Sequence, residues 1–208
     1  MPVQTTISTM RHAHTQYNAE KRYAGTIDIP LSREGERDTR KASAKLAGAD
    51  FDVVVTSTQK RAYETAQILV GEKVPIVRSK LCNERRFGVM EGLTWDDIQN
   101  LDPPILMISV GHDLHTVNPK GGEPFEEVWE RAKKFRRFLF ERYSGSNILV
   151  VSHGVFLQMF HGVLRGLNCI ESLASYPANL ELARFRFSGR RLTQESVLSL
   201  SEVVRFKW

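Results

Sequence analysis

Apolar positions along the chain follow two alternating patterns. Phe51–Thr56 (FDVVVT) and Asn147–Ser152 (NILVVS) are short, nearly continuous apolar runs, as expected of strands covered on both faces. Glu123–Tyr143 instead repeats apolar residues at spacings of three and four: Phe125, Val128, Trp129, Ala132, Phe135, Phe138 and Leu139. That is the stripe of a long amphipathic helix. Ser32 reads as an N-cap, preceded by Leu31 and followed by Glu34 and Glu36, and predicts a helix over 33–47. Gln59–Leu69 is helical, with Ala62, Ala66 and Leu69 on one face, and another helix follows His153-Gly154 to about Arg165. Val3–Met10 and Val74–Val77 have strand character, as do Leu180–Phe187 and Leu192–Val204. Strands alternating with helices predict an α/β fold, a largely parallel sheet flanked by helices.

The stretch 93–122 breaks the rhythm. It holds Pro103-Pro104, the apolar run Ile105–Ile108, two histidines and Gly121-Gly122. It reads either as a lid or insert over a pocket, or as a small helix under an ordinary crossover. A length of 208 residues predicts one domain over 1–208. Hydrophobic residues at 41% and charged residues at 25% exclude disorder, collagen and a coiled coil. No apolar run reaches the roughly 18 residues of a membrane span, so no membrane association is expected. The first ten residues lack the basic and apolar regions of a signal peptide. Cys82 and Cys169 form neither a disulfide framework nor a metal spacing, which fits a reducing cytoplasm. The oligomeric state is left open. The net charge of +5 admits nucleic acid, but the basic residues are dispersed beside acids, as in Glu126-Glu127 to Lys133-Lys134. A solvated helix face explains them better, and no nucleic-acid partner is expected.

Ligands of such sheets collect at the carboxyl ends of strands. Met10 leads into Arg11-His12, Val151-Ser152 leads into His153-Gly154, and Thr56-Ser57 leads into a helix carrying Arg61. Two histidines and two arginines on one rim make four potential cations. Such a rim calls for an anion, and phosphate suits the arginine fork. His12 and His14, two apart on a strand, would point the same way and raise a metal reading. That reading needs further ligands, and His112, His115, His153 and His161 show no metal spacing.

Taken together these segments resemble the histidine phosphatase superfamily, which includes cofactor-dependent phosphoglycerate mutases and many phosphomonoesterases. Arg11-His12-Ala13-His14-Thr15 with Asn18 is similar to its signature motif, and Arg22-Tyr23-Ala24-Gly25…Asp28…Pro30-Leu31-Ser32…Gly35 to the segment that follows. Thr56-Ser57…Lys60-Arg61-Ala62…Thr65-Ala66 resembles the second arginine motif, and Asn83-Glu84-Arg85-Arg86-Phe87-Gly88…Glu91-Gly92-Leu93 the acid motif. Gly121-Gly122-Glu123 and Val150–Gly154 match the last two, with Asn179 as a weaker echo. The resemblance implies a phosphoglycerate mutase-like fold and hydrolysis of a small phosphorylated substrate. In it His12 is the nucleophile, its pKa lowered by Arg11, Arg61 and the second histidine, and Glu84 is the general acid and base. Arg11, Asn18, Arg61, His153 and Gly154 bind the phosphoryl group, whose charge in the transition state the arginines and His153 stabilise. Tyr23, Ala24, Gly25 and Phe87 would line the substrate pocket, and neither metal nor cofactor is needed.

Some positions depart from the family pattern. Ala13 stands for glycine, His14 for Glu or Gln, and Thr58-Gln59 for a proline-containing turn. Phe87, Trp95 and Ala24 occupy positions where the mutases hold tyrosine, lysine and threonine, and no arginine follows Arg86 before Gly122. Hydrolysis is therefore expected over phosphoglycerate mutase-type transfer. A catalytically inactive phospho-ligand-binding relative is the remaining alternative, against which His12, Glu84 and both arginines are all present. Phe87, Trp95 and Ile105–Ile108 read either as a pocket for an apolar leaving group or as the small core of the lid.

Overall fold

The computed structural model describes residues 2–111, 113–117 and 119–200. Along the chain, β1 (Gln4–Arg11) is followed by α1 (Gln16–Ala19), α2 (Arg33–Lys45), β2 (Val53–Thr56), α3 (Lys60–Val70) and β3 (Ile76–Arg78). Next come α4 (Trp95–Ile98), β4 (Met107–Val110), β5 (Asp113–Thr116) and the long α5 (Phe125–Tyr143). The chain continues with β6 (Asn147–Ser152), α6 (Gly154–Arg165), α7 (Cys169–Ser172), β7 (Glu181–Ser188) and β8 (Arg191–Ser199). Six strands form one sheet in the order β3-β2-β6-β1-β7-β8. The first four are mutually parallel, β7 runs antiparallel to β1, and β8 runs antiparallel to β7.

Alternation along the central strands divides the core into two layers. Ile148 and Val150 of β6, with Val53 and Val55 of β2, face α5 and α6. There Phe135 meets Phe156 and Phe160 edge-on, with ring centroids 5.6 and 5.1 Å apart. Leu149, Val151 and Val54 face the other way, toward Ala42 of α2 and Ala62, Ala66 and Leu69 of α3. Both faces of β2 and β6 are thus covered, which is why their sequences are apolar throughout. The Ser32 hydroxyl caps α2 by accepting from the Gly35 N–H at 3.0 Å. No helix among the described residues is long and apolar enough to cross a membrane.

The 93–122 stretch carries the short α4 and the β4–β5 hairpin; Ile105, just before β4, and Met107 and Ile108 within it pack on the main core together with Trp95, while Leu106 stays exposed. The hairpin is anchored by the fully buried Arg85, which donates to the carbonyls of Thr116, Val117 and Glu123. The strand expected from Leu180 starts at Glu181, because Leu180 sits at φ 56° and turns its N–H to the Arg11 carbonyl. The strand expected over Leu192–Val204 covers Arg191–Ser199, and its positions 201–204 lie outside the described residues.

His161 of α6 is buried between the helix and the sheet, 2.7 Å from the Thr9 hydroxyl. Burial, reinforced by Arg165, pushes its pKa down to about 3. The unfolded chain binds a proton below about pH 6.5 that the native state refuses. His161 therefore leaves stability intact above that pH and erodes it as pH falls, by roughly 2 kcal/mol at pH 5. Urea unfolding at pH 7.5 and 5 should show His161→Gln losing about 2 kcal/mol less than the parent protein between the two pH values. Equal losses would remove this account of His161.

Candidate active site

Parallel register brings the two histidines together. Arg11 of β1 pairs with Ser152 of β6, so the next residues, His12 and His153, leave adjacent strands side by side. The His12 N–H continues the ladder to the Ser152 carbonyl at 2.9 Å, and the two imidazole rings lie 5.2 Å apart. On the other flank of β6, Thr56 pairs with Val151, and the connection beyond it starts α3 with Arg61 in its first turn. Arg11, His12, Arg61 and His153 are all buried at this carboxyl edge.

The His12 ring is fixed by its backbone. Nδ1 lies 2.7 Å from the Ala13 carbonyl, an acceptor only, so Nδ1 carries the proton and Nε2 keeps the lone pair. Burial holds the His12 pKa well below that of a free histidine, and Arg61 and Arg11 lower it further. His153 is lowered well below it as well, by burial first and then by Arg61, His12 and Arg11. Of the rim's four potential cations, the two guanidiniums carry charge and the two imidazoles are neutral, because desolvation outweighs the ring's basicity.

Neither Arg11 nor Arg61 forms an ion pair with a carboxylate among the described residues. Backbone carbonyls hold them instead. Arg61 donates to Ile27 and Gly25, both at 2.9 Å, and Arg11 donates to Pro177 at 3.0 Å. Burial pushes the Arg61 pKa down to about 10, which still leaves it charged at neutral pH. The Nε atoms of Arg11 and Arg61 and both ring nitrogens of His153 are shut off from solvent with no hydrogen-bond partner among the described residues. Buried donors of this kind are otherwise rare, and these gather where two strands and a helix converge.

Glu84 approaches from the segment after the 3-10 turn Lys80–Cys82. Its Oε1 accepts from the N–H of Arg85 at 2.9 Å and of Phe156 at 3.1 Å, while Oε2 has a 3.4 Å contact from Val155. The carboxyl group therefore sits against the N-terminal turn of α6, beside His153. Its backbone is held by Gln59, whose Oε1 accepts the Glu84 N–H, and by Arg131, which donates to the carbonyls of Leu81, Asn83 and Glu84. Glu123 pairs with Arg131 through both carboxylate oxygens, at 3.0 and 2.9 Å. Glu91 is engaged elsewhere, accepting from Thr26 and Phe87. Gly25, at φ +51°, lies so close to Glu91 that a Cβ there would come within 2.2 Å of Oε1, so only glycine fits.

The remaining expected residues fall at different distances from this centre. Asn18, in α1, completes the capping box of the Thr15 N-cap, its Oδ1 accepting from the Thr15 N–H and hydroxyl, so its amide nitrogen is what is left for a ligand. Gly154 opens α6 beside the Tyr176 hydroxyl, which lies 2.0 Å from where a Cβ would stand. Tyr23 and Phe87 meet edge-on at 5.2 Å, with Phe87 largely buried, and the Gly25 carbonyl is taken by Arg61 and Gln59. Ala24 accepts the Ile27 N–H in the same turn. Ala13 does not have positive φ, so the methyl group brings no backbone strain. His14 lies beyond the strand, which ends at Arg11, and the charges facing its ring include Glu34 and Asp38 of α2. The same-face geometry behind the His12/His14 metal reading is therefore not realised. Among the described residues no three His, Cys, Asp or Glu side chains gather as a metal site, and His112 lies outside them.

Sequence reasoning missed Tyr176, whose ring lies 5.0 Å from the Arg11 guanidinium. It also missed Gln59, Arg131 and the role of Asn179, which donates to the His12 carbonyl at 2.6 Å. Only Asn179 left a trace in the motif pattern.

Comparison with known proteins was made against this geometry. Residues 7–198 match the pattern of the histidine phosphatase superfamily (branch 1). The chain is 27% identical to fructose-2,6-bisphosphatase TIGAR B of Danio rerio, covering 95% of this chain and 91% of that protein. It is 29% identical to a 2,3-bisphosphoglycerate-dependent phosphoglycerate mutase of Cytophaga hutchinsonii over 70% of each chain. The alpha-ribazole phosphatase structure from Shigella flexneri superposes with a TM-score of 0.82 at 23% identity, covering 97% of this chain and all (100%) of that one. The last likeness is one of fold.

The neutral state of the histidines is directly measurable. In a nitrogen-15 NMR titration of the free protein, His12 and His153 should stay neutral from pH 8 to 5.5, with His12 protonated on Nδ1 throughout. Either ring titrating near 6.5 would contradict the electrostatics of the site.

Proposed function

The chain belongs to the histidine phosphatase superfamily and is a phosphatase; we propose that it hydrolyses phosphomonoesters of small metabolites through a phosphohistidine at His12. The observation that carries this reading is the set of buried, partnerless nitrogens of Arg11, Arg61 and His153 around the unprotonated Nε2 of His12. A phosphoryl group would satisfy the donors while presenting phosphorus to the lone pair.

In the first step His12 Nε2 attacks phosphorus, the ester P–O bond breaks, and the leaving oxygen takes a proton from Glu84. Oε1 of Glu84 is committed to two backbone N–H groups, so Oε2 is the oxygen suited to hold that proton. Arg11 and Arg61 stabilise negative charge on the phosphoryl oxygens, and His153 donates a single N–H to it. In the second step Glu84, now a carboxylate, removes a proton from water. The water oxygen attacks phosphorus, the P–N bond breaks, and its electron pair returns to His12. Asn18 and Gly154 contribute further donors to the phosphoryl group, and Tyr23, Ala24, Gly25 and Phe87 flank the leaving group.

Hydrolysis is favoured over mutase transfer by the fate of the two arginines next to Glu84. A mutase retains its substrate while it reorients, which calls for cations on a second anionic group. Here the Arg85 guanidinium is buried on three backbone carbonyls, and Arg86 Nε donates to the Gly121 carbonyl at 3.0 Å.

General acid catalysis matters most for poor leaving groups. Glu84→Gln should lower kcat/KM roughly 10²–10⁴-fold with an alkyl phosphate and clearly less with p-nitrophenyl phosphate, whose leaving group barely needs a proton. Glu91→Gln, at a carboxylate tied to Thr26 and Phe87, should show no such dependence. Equal losses with both substrates for Glu84→Gln would dismiss its role as the acid.

A further inference from the structure

A second concentration of unpaired positive charge lies at the opposite end of the sheet. The antiparallel register sets Gln4, at the start of β1, against Ser188 of β7. The turn that follows, with Arg190, is therefore separated from His12 by the length of β1, about 25 Å. Beside this turn, α5 and the C-terminal end of α6 form a half-open cavity of about 380 Å³, within the range of small-molecule sites, about 300–1,000 Å³. Lys133, Arg136, Arg137 and Arg190 line it together with Trp129 and Phe140, and no carboxylate does.

Elsewhere on the surface arginines sit beside acids, as in Arg37–Glu34, Arg40–Glu36 and Arg165–Glu195. Among the described residues, Lys133 alone of the cavity's cations has such a partner, Glu130 at 2.8 Å. Arg136 donates to the Arg190 carbonyl, and burial together with the Arg190 charge lowers its pKa. Its Nε, like the indole nitrogen of Trp129, is buried with no partner among the described residues. The carbonyl end of α6 offers only about half a negative charge against three guanidiniums. The aromatic faces are already used: Lys133 lies 4.3 Å from the Trp129 ring and the Arg136 guanidinium 4.9 Å from that of Phe140. These contacts hold the cations in place, so a ligand would be recognised by charge rather than by stacking. One phosphate would leave most of the positive charge unmatched and most of the space unfilled.

We propose that this cavity is a second anion site, distinct from the catalytic one, for a small molecule carrying two phosphoryl groups. Methylenebisphosphonate, which a phosphatase cannot hydrolyse, is the probe. In amide NMR spectra at physiological ionic strength, Val163, Gly166, Leu167 and the Trp129 indole N–H report this cavity, while Ala13 and Gly154 report the catalytic site. The expected result is saturable shifts of the first group, weakened more than 10-fold in Arg136→Gln/Arg190→Gln, with the Ala13 and Gly154 shifts unchanged. The same spectra check the fold. If the double variant is unfolded, the exposed Arg190→Gln and Arg137→Gln single variants should each weaken binding several-fold. Absent or non-saturating shifts would overturn the proposal, as would binding indifferent to these substitutions. A short DNA duplex moving these resonances where the bisphosphonate does not would also overturn it, in favour of a nucleic-acid contact.

Discussion

Two buried guanidinium charges with no carboxylate partner among the described residues, Arg11 and Arg61, organise the candidate active site of this protein. Burying a cation without an anion is costly, and the surrounding chain is arranged to offset that cost with carbonyl dipoles from Gly25, Ile27 and Pro177. Gly25 can offer its carbonyl because its left-handed turn, locked by Glu91, admits no side chain. The same two charges, acting with burial, keep His12 and His153 neutral. A protonated imidazole cannot attack phosphorus, so in the proposed mechanism the charges that would attract an anion also prepare the nucleophile.

Glu84 is held on a separate framework. Arg131 and Gln59 fix its backbone, Glu123 fixes Arg131, and Arg85 ties the β4–β5 hairpin to Glu123. The residues proposed as proton donor and as phosphoryl cradle are thus positioned by different parts of the chain and meet at the start of α6. The other end of α6 borders the basic cavity, so one helix touches both concentrations of unpaired charge.

Much of this was legible in the sequence, because strand ends can be read from apolar runs and register does the rest. Once β1 and β6 are parallel neighbours, Arg11-His12 and Ser152-His153 must lie together. The N-cap at Ser32 and the stripe of α5 were legible for equally local reasons. Protonation was legible only in part: the arginines beside His12 already disfavour an imidazolium, but burial, the larger cause for His12 and His153, shows only in the fold. Tyr176 and Arg131 could not be found either, since their contacts with Arg11 and with the Glu84 segment cross long stretches of chain. The β4–β5 hairpin escaped because its strands are short and partly exposed, so they carry no clean alternation.

The central claim is that His12 carries the phosphoryl group between substrate and water. It is tested most directly by quenching turnover of p-nitrophenyl phosphate in alkali within milliseconds and mapping the protein by mass spectrometry, since phosphohistidine survives base and is lost in acid. The account predicts one acid-labile phosphoryl group per chain, on His12. Phosphate on another side chain, or turnover with no phosphorylated protein even when the water step is slowed, would contradict it.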